Sequence, residues 1–583
     1  MKLRGLAFLA LAMTLATEFA ESAQDPGEEF ELRQAPTHWL ATDNKGAGAG
    51  PVTQEKLITS GSVKTSWLHY YGDYRGYRHS PIDDITPETV GNLEFAWGMA
   101  AGTVGPFETS PIVYDGIMYV TTSYNRLIAV DAGSGEVIWR YDYHNPEDLR
   151  ICCGPNNRGV AIGGDLVVMG TLDAKLLAFN RLTGALVWET VITKYQRGFS
   201  VTGAPLIANG RVFIGLGGGE YGVRGFFDAY DLATGELLWR HYTIPTDGED
   251  GVETWAGESY KIGGSPTWNT GTYDPETETI FWTTGNPGAD WNGDNREGDN
   301  LYSDSLLAVD PKTGELKWYF QFTPHDIWDY DGNTQIILLD VEVNGEMIKA
   351  VGHADRNGYY YLINRVSGAY ILAEPYAAEV NWATIDETGR PVVRPGAIPT
   401  GTYSDRVCPG HAGGMNAAYT GAYSPNTGLY YVNSIESCEI IEKGMAIFIE
   451  GSTYLGGSFQ SVDAEAGTGY GDLVAIDAAS GKVKWRHQEV NGLLSGVVST
   501  QGGVLFTGTV DGRFLGLDAA TGEVVWEKRV GSIVRGQPIV YEHEGDSYVA
   551  IATGGSNGVE YFTGGFSSMP DNTYLFVFRL NKQ

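Results

Sequence analysis

Basic residues are scarce in this chain: 39 Lys and Arg stand against 72 Asp and Glu, a formal charge of −33. Binding to a nucleic-acid backbone needs clustered cations that release counterions, so the composition argues against that class. An acidic surface suits solubility and steering toward a basic protein or a cation. Long apolar runs are also missing beyond residue 23, so the mature chain is expected not to span a membrane. Cysteine is limited to four residues, none in a Cys-x-x-Cys-His arrangement for c-type haem attachment. Cys152 and Cys153 are adjacent, and Cys408 and Cys438 are the only others. In an exported chain this favours one vicinal bridge and one loop staple, with two free buried thiols as the alternative. A vicinal bridge closes a tiny ring and adds almost nothing through loop entropy, so its role would be chemical or steric.

What the chain does hold is 79 Gly, 15 Trp and 34 Tyr among 583 residues, a composition that suits many short strands and tight turns and predicts an all-β fold. Residues 1–23 combine Lys2 and Arg4 with an apolar run from Leu6 to Leu15, the layout of a secretory signal peptide, with the cut ambiguous between Ala16 and Ala23. Residues 24–64 read as a polar N-terminal tail with a short helix at best, and 65–583 as one body. Thr86-Pro87-Glu88 reads as a helix start, with Thr86 as cap and Pro87 at the first helical position.

A repeat then runs through the chain: small-x-Asp-x-x-Thr/Ser-Gly-x-x-x-Trp, from Ala129 to Trp139, Ala178 to Trp188, Ala229 to Trp239, Ala308 to Trp318, Ala475 to Trp485 and Gly516 to Trp526, with a degenerate copy from Leu362 to Leu372. The Asp and Thr-Gly build a hairpin turn, and the Trp begins the next strand as a packing device. Several copies lie roughly 40 to 50 residues apart, the period of a four-stranded propeller blade. The longer gaps, Trp239 to Trp318 and 373–470, mark inserted loops, where propellers tend to carry function.

One such loop is Thr323-Pro324-His325-Asp326-Ile327-Trp328-Asp329-Tyr330-Asp331-Gly332-Asn333. Carboxylates at i and i+2 on an irregular, Gly-terminated segment can both turn toward one hard cation. Solvated loop acids are the plain alternative.

Taken together, Ser66-Trp67-Leu68-His69-Tyr70-Tyr71-Gly72, Tyr77-Arg78-His79-Ser80-Pro81, the Trp repeats, Cys152-Cys153, Gly217-Gly218-Gly219-Glu220, Thr284-Gly285-Asn286-Pro287 and Trp328-Asp329-Tyr330-Asp331 resemble the pyrroloquinoline quinone (PQQ) dependent methanol/ethanol dehydrogenases over about residues 65 to 560. The resemblance implies an eight-bladed β-propeller that oxidises an alcohol to an aldehyde or ketone by hydride transfer to PQQ. It further implies that Cys152 and Cys153 form a vicinal disulfide on one face of PQQ and that Trp268 stacks on the other. Glu108, Arg158, Thr202, the Gly217, Gly218 and Gly219 backbone and Asn416 match positions that hold the cofactor's edge. Arg356, in Asp355-Arg356-Asn357-Gly358, matches the cation beside the quinone carbonyls, and Asp329 the residue that takes the hydroxyl proton.

The implied metal set is Glu220, Asn286, Asp329 and Asp331, all oxygen ligands. Asp331 stands where calcium-using members carry a small uncharged residue, so the chain is similar to the lanthanide-using branch; a third carboxylate favours a trivalent over a divalent ion. Calcium is the alternative. Pro266 and Leu494 depart from a Thr and a Trp common in the family. Ala417 follows Asn416 where a Trp is common, and Gly456-Gly457 with 467–471 make the inserted loop Gly-rich, which points to a roomy mouth unless inserted loops refill it. Lacking haem, the chain is expected to pass electrons to a soluble cytochrome c in the periplasm, and a homodimer is compatible with the family. Singly, the same residues also fit turns and surface ion pairs, and a non-enzymatic assembly scaffold built on the same repeat is the competing reading.

Overall fold

The computed structural model describes residues 48–343, 345–415, 418–463, 471–555 and 572–582. The predicted signal, residues 24–47 of the predicted tail, Asn416, Ala417 and 467–470 lie outside that range. The described chain forms an eight-bladed propeller of four-stranded antiparallel sheets. Blades 1 to 7 span 112–142, 161–191, 206–242, 272–321, 336–375, 422–489 and 498–529. Blade 8 spans 539–580 and borrows its fourth strand, Leu93–Ala100, from the other end of the chain; that strand pairs with Tyr574–Leu580 from Leu93↔Leu580 to Ala100↔Tyr574. The ring is thus closed by strands from both ends of the chain, with Leu93–Ala100 as an edge strand of that blade. Among the described residues no helix is long and apolar enough to cross a membrane.

The repeat builds each blade as its residues dictate. Its small residue lies directly opposite its Trp, as in Ala129↔Trp139, Ala178↔Trp188, Ala229↔Trp239, Ala308↔Trp318, Ala475↔Trp485 and Gly516↔Trp526, and the degenerate copy keeps the register as Leu362↔Leu372. The turn is held by side chain to backbone bonds such as Ser134 N–H to Asp131 Oδ1 at 2.8 Å. Three of the indoles reach into the next blade with a hydrogen bond: the Nε1–H of Trp139, Trp188 and Trp239 donates to the carbonyls of Arg181 (3.0 Å), Leu232 (3.0 Å) and Pro311 (3.2 Å). The turn glycine receives the ring, because a Cβ on Gly184 would lie 2.7 Å from the Trp139 indole. Trp97, on the closing strand, donates to Ala132 O at 3.2 Å in the same manner and is the docking tryptophan of blade 8.

One feature differs from expectation. Thr86-Pro87-Glu88 caps only a turn and the short 3-10 segment Val90–Asn92, because Gly91 and the closing strand that follows stop the helix at once. The segment 48–64 carries the helix Gln54–Thr59, whose Leu57 is 2% exposed, and Val52 bridges to Gly164 of blade 2. The insertions fall where the repeat spacing placed them. One of them, within blade 6, is a hairpin of Ser437–Lys443 with Gly457–Asp463. The Cys408–Cys438 disulfide ties it to the segment between blades 5 and 6.

Candidate active site

Loops from several blades converge on a cavity of about 430 Å³. Of the residues singled out from the sequence, Glu108, Cys152, Cys153, Arg158, Thr202, Gly217, Gly218, Glu220, Trp268, Asp329, Asp331 and Arg356 all line it. Gly219 and Asn286 adjoin each other beside it, a Cβ on Gly219 falling 3.7 Å from Asn286 Oδ1. Cys152 and Cys153 are bonded to each other, and their sulfurs lie within 4.8 Å of a Glu220 carboxylate oxygen.

One end of the cavity is cationic. Glu108, buried, faces Arg158 at 2.8 Å and Arg535 at 2.7 Å, and Arg535 Nε–H donates to the Tyr419 hydroxyl at 3.0 Å. Two guanidiniums against one carboxylate leave a net positive charge, and Arg158 Nε and Nη1 are buried without a hydrogen-bond acceptor. Such a fork suits a bound carboxylate. The Arg158 guanidinium also lies 4.8 Å from the Trp268 ring centroid. Arg535 and Tyr419 were invisible in the sequence, standing singly and outside any motif.

The other end is acidic. The loop Asp326–Asp331 alternates: Trp328 and Tyr330 turn inward onto Trp382, with centroids 4.9 and 5.1 Å away, while Asp329 and Asp331 face the cavity. Both acids take left-handed backbone, at φ 55° and 46°, a strain that persists only when the surroundings impose it. The imposing group is Asp326, whose two oxygens accept the N–H groups of Trp328 and Tyr330, both at 2.8 Å. Asp304 Oδ1 accepts from Gly332 N–H at 3.1 Å.

Asp331 Oδ2 accepts from Trp268 Nε1–H at 2.9 Å and faces Arg356 Nη1 at 3.5 Å, while its Oδ1 is buried with no partner. A Cβ on residue 285 would fall 2.0 Å from that Oδ1, so only glycine lets the carboxylate sit there. Burial pushes Asp329 well above the usual carboxylate range against the pull of Arg356, with Asp290, Asp331 and Glu220 adding to the rise. Burial likewise pushes Glu220 up to about 7, with Asp331 adding to it. Crowded, dry carboxylates of this kind call for a cation, and an all-oxygen donor set with an unpartnered buried oxygen fits a hard metal ion. A planar group with anionic edges fits the remainder: the disulfide and Trp268 offer flat or polarisable surfaces, and Arg158 offers free donors.

Cavity-lining residues that sequence reasoning missed include His411 and Phe459. Phe459 comes from the blade 6 hairpin, so that insertion refills the space that Gly456-Gly457 suggested would be open.

Fold and site therefore define a propeller with a cavity whose lining fits a planar anionic group beside a hard cation. A family model described as the glucose/ethanol/alcohol dehydrogenase beta-propeller domain matches residues 67–374, and one described as outer membrane protein assembly factor BamB matches 469–557. The chain is 38% identical over 573 residues to quinoprotein alcohol dehydrogenase PedH of Pseudomonas putida, covering 93% of this chain and 94% of the relative. It is 34% identical to the lanthanide-dependent methanol dehydrogenase of Methylacidiphilum fumariolicum, covering 86% of each. Among solved structures, a europium-containing methanol dehydrogenase superposes with a TM-score of 0.86 at 32% identity, covering 90% of this chain and 100% of that one. The chain belongs to the PQQ-dependent alcohol dehydrogenase family.

Proposed function

We propose that the protein is a periplasmic quinoprotein alcohol dehydrogenase that uses a lanthanide ion and passes its electrons to a separate soluble cytochrome c. Residues 1–23 act as the export signal, 24–64 as an N-terminal tail and 65–583 as the catalytic propeller. The observation that carries this reading is the gathering of Glu220, Asp329, Asp331, Arg356, Trp268 and the vicinal disulfide on one cavity.

Bound PQQ would supply a two-electron acceptor and the metal ion Lewis acidity. Glu108, Arg158, Thr202, Asn416 and the Gly217–Gly219 backbone would hold the cofactor's edge, and Cys152–Cys153 and Trp268 would contact its faces. Glu220, Asn286, Asp329 and Asp331 would hold the ion. Asp329, a carboxylate facing the cavity, would accept the hydroxyl proton of the alcohol. Arg356, already turned toward Asp331, stabilises negative charge that develops beside it.

The choice of metal rests on Asp331, which adds a third carboxylate to the donor set, and on the resemblance to relatives named for lanthanides. Calcium with the same chemistry is the second reading. The test reconstitutes the purified apoprotein with PQQ and either lanthanum or calcium, and follows oxidation of a primary alcohol with an artificial electron acceptor. Activity with lanthanum that disappears in Asp331→Ala is the expected result. Equal activity with calcium alone overturns the lanthanide assignment, and no PQQ uptake with either metal overturns the enzyme.

A further inference from the structure

The cavity wall next to Arg356 carries an acid–imidazole pair that none of the roles above uses. His411 lines the cavity, and its Nδ1 lies 3.2 Å from Glu439 Oε2, the same oxygen that accepts the His411 backbone N–H at 3.0 Å. Glu439 is 1% exposed. It is set by the hairpin strand Ser437–Lys443 directly after Cys438, whose disulfide partner Cys408 lies three residues before His411. Phe459, on the partner strand Gly457–Asp463, brings its ring centroid to 3.8 Å from the imidazole. The His411 carbonyl in turn accepts from Arg356 Nη2. The imidazole is therefore gripped through its ring, its backbone and its face.

That grip decides which atom is left over. With Nδ1–H donated to the carboxylate, the tautomer is fixed and the lone pair sits on Nε2, for which no partner exists among the described residues. Burial holds the imidazole below its ordinary value although Glu439 opposes the shift, so near neutral pH the ring is an acceptor. An acceptor backed by a carboxylate repels anions and selects a neutral or cationic donor. Phe459, against the imidazole face, has an apolar side chain and offers the ligand no competing side-chain hydrogen bond. A substrate that covers Nε2 without donating to it leaves a buried acceptor unpaired, a penalty that discriminates strongly against the analogue lacking the hydroxyl.

Building on the alcohol-oxidising reading, we infer that His411, aligned by Glu439, is a second recognition point for substrate. It accepts a hydrogen bond from a hydroxyl other than the one oxidised, so that the site is built for diols or polyols over plain alkanols. Glu439 is the positioning residue in this pair.

The test uses the reconstituted holoenzyme and compares a 1-alkanol with the diol of equal chain length. The expected result is a kcat/KM ratio favouring the diol by about tenfold or more, carried mainly by KM, that collapses in His411→Phe. His411→Gln, whose amide oxygen still accepts, should keep part of the preference, and Glu439→Gln should weaken it. A readout independent of turnover is the ¹⁵N shift of His411 Nε2, moved by an unoxidisable tertiary diol and not by the matching tertiary alcohol. If His411→Phe and His411→Gln lower both substrates equally, or if the Nε2 signal ignores the diol, His411 is a packing residue and the inference fails. Wild-type protein that oxidises neither substrate while Nε2 still responds to the diol counts against alcohol oxidation and leaves the recognition point standing.

Discussion

Gly285 exists for the sake of Asp331. Any side chain there collides with the unpartnered carboxylate oxygen, so Gly285→Ala should displace that acid while leaving the blade strands untouched. Because Trp268 Nε1 lies 2.9 Å from Asp331, terbium bound at this site should be sensitised by the indole. The expected outcome is strong sensitised emission from wild-type protein titrated with terbium, and a loss of affinity of at least about tenfold in Gly285→Ala, by analogy with lost metal-site support. Undiminished emission would mean that Asp331 is not a ligand. At this scale the sequence disclosed residue types more readily than reasons. Asp329 and Asp331 were visible as an i, i+2 pair, but the constraint that makes residue 285 glycine is a contact across 46 positions of chain. Arg535 was wholly hidden: it meets Glu108 across a separation of 427 residues, with no local pattern to flag it.

At the scale of elements, the helix Gln54–Thr59 is pinned by a histidine. His69 Nε2 lies 3.0 Å from the Leu57 carbonyl, and its ring packs against Tyr74 at a tilt, with centroids 4.2 Å apart. Burial lowers this imidazole to about 4, below its value near 6.5 in an unfolded chain. Between those values the unfolded state binds the additional proton, so stability falls as pH drops from about 6.5 to about 4, by about 3 kcal/mol in total. Thermal midpoints measured across that window should fall less steeply for His69→Gln than for wild-type protein; parallel curves would refute the assignment. The strands themselves were legible, since small-x-Asp-x-x-Thr-Gly-x-x-x-Trp specifies both a turn and the residue opposite the Trp. The Thr86-Pro87 signal misled because capping chemistry marks where a helix can start and says nothing about whether the following residues sustain it.

For the molecule as a whole, the seven readable repeats stop one short of the ring. The eighth is divided between Leu93–Ala100 and 539–580, so its Trp97 stands in front of its own hairpin in the chain and no repeat search meets the pieces in order. Only the family resemblance supplied the count. Net charge also belongs to this scale. With −33 overall, encounter with a basic electron carrier should be steered, and the second-order rate of electron transfer to a cationic cytochrome c should fall severalfold as salt rises from about 10 mM to about 150 mM. A rate indifferent to salt would exclude a charge-guided acceptor.

The junction of the two chain ends has a temporal consequence. Glu108 follows the first strand of the closing blade, while Arg535 precedes the remaining ones, and their 2.7 Å pair spans the seam. During synthesis Glu108 emerges long before Arg535, so the pair is completed only once the chain has reached the stretch that closes the ring. Pairing of Glu108 with Arg535 and closure of the ring therefore both wait on the same late-made stretch of chain, 535–580.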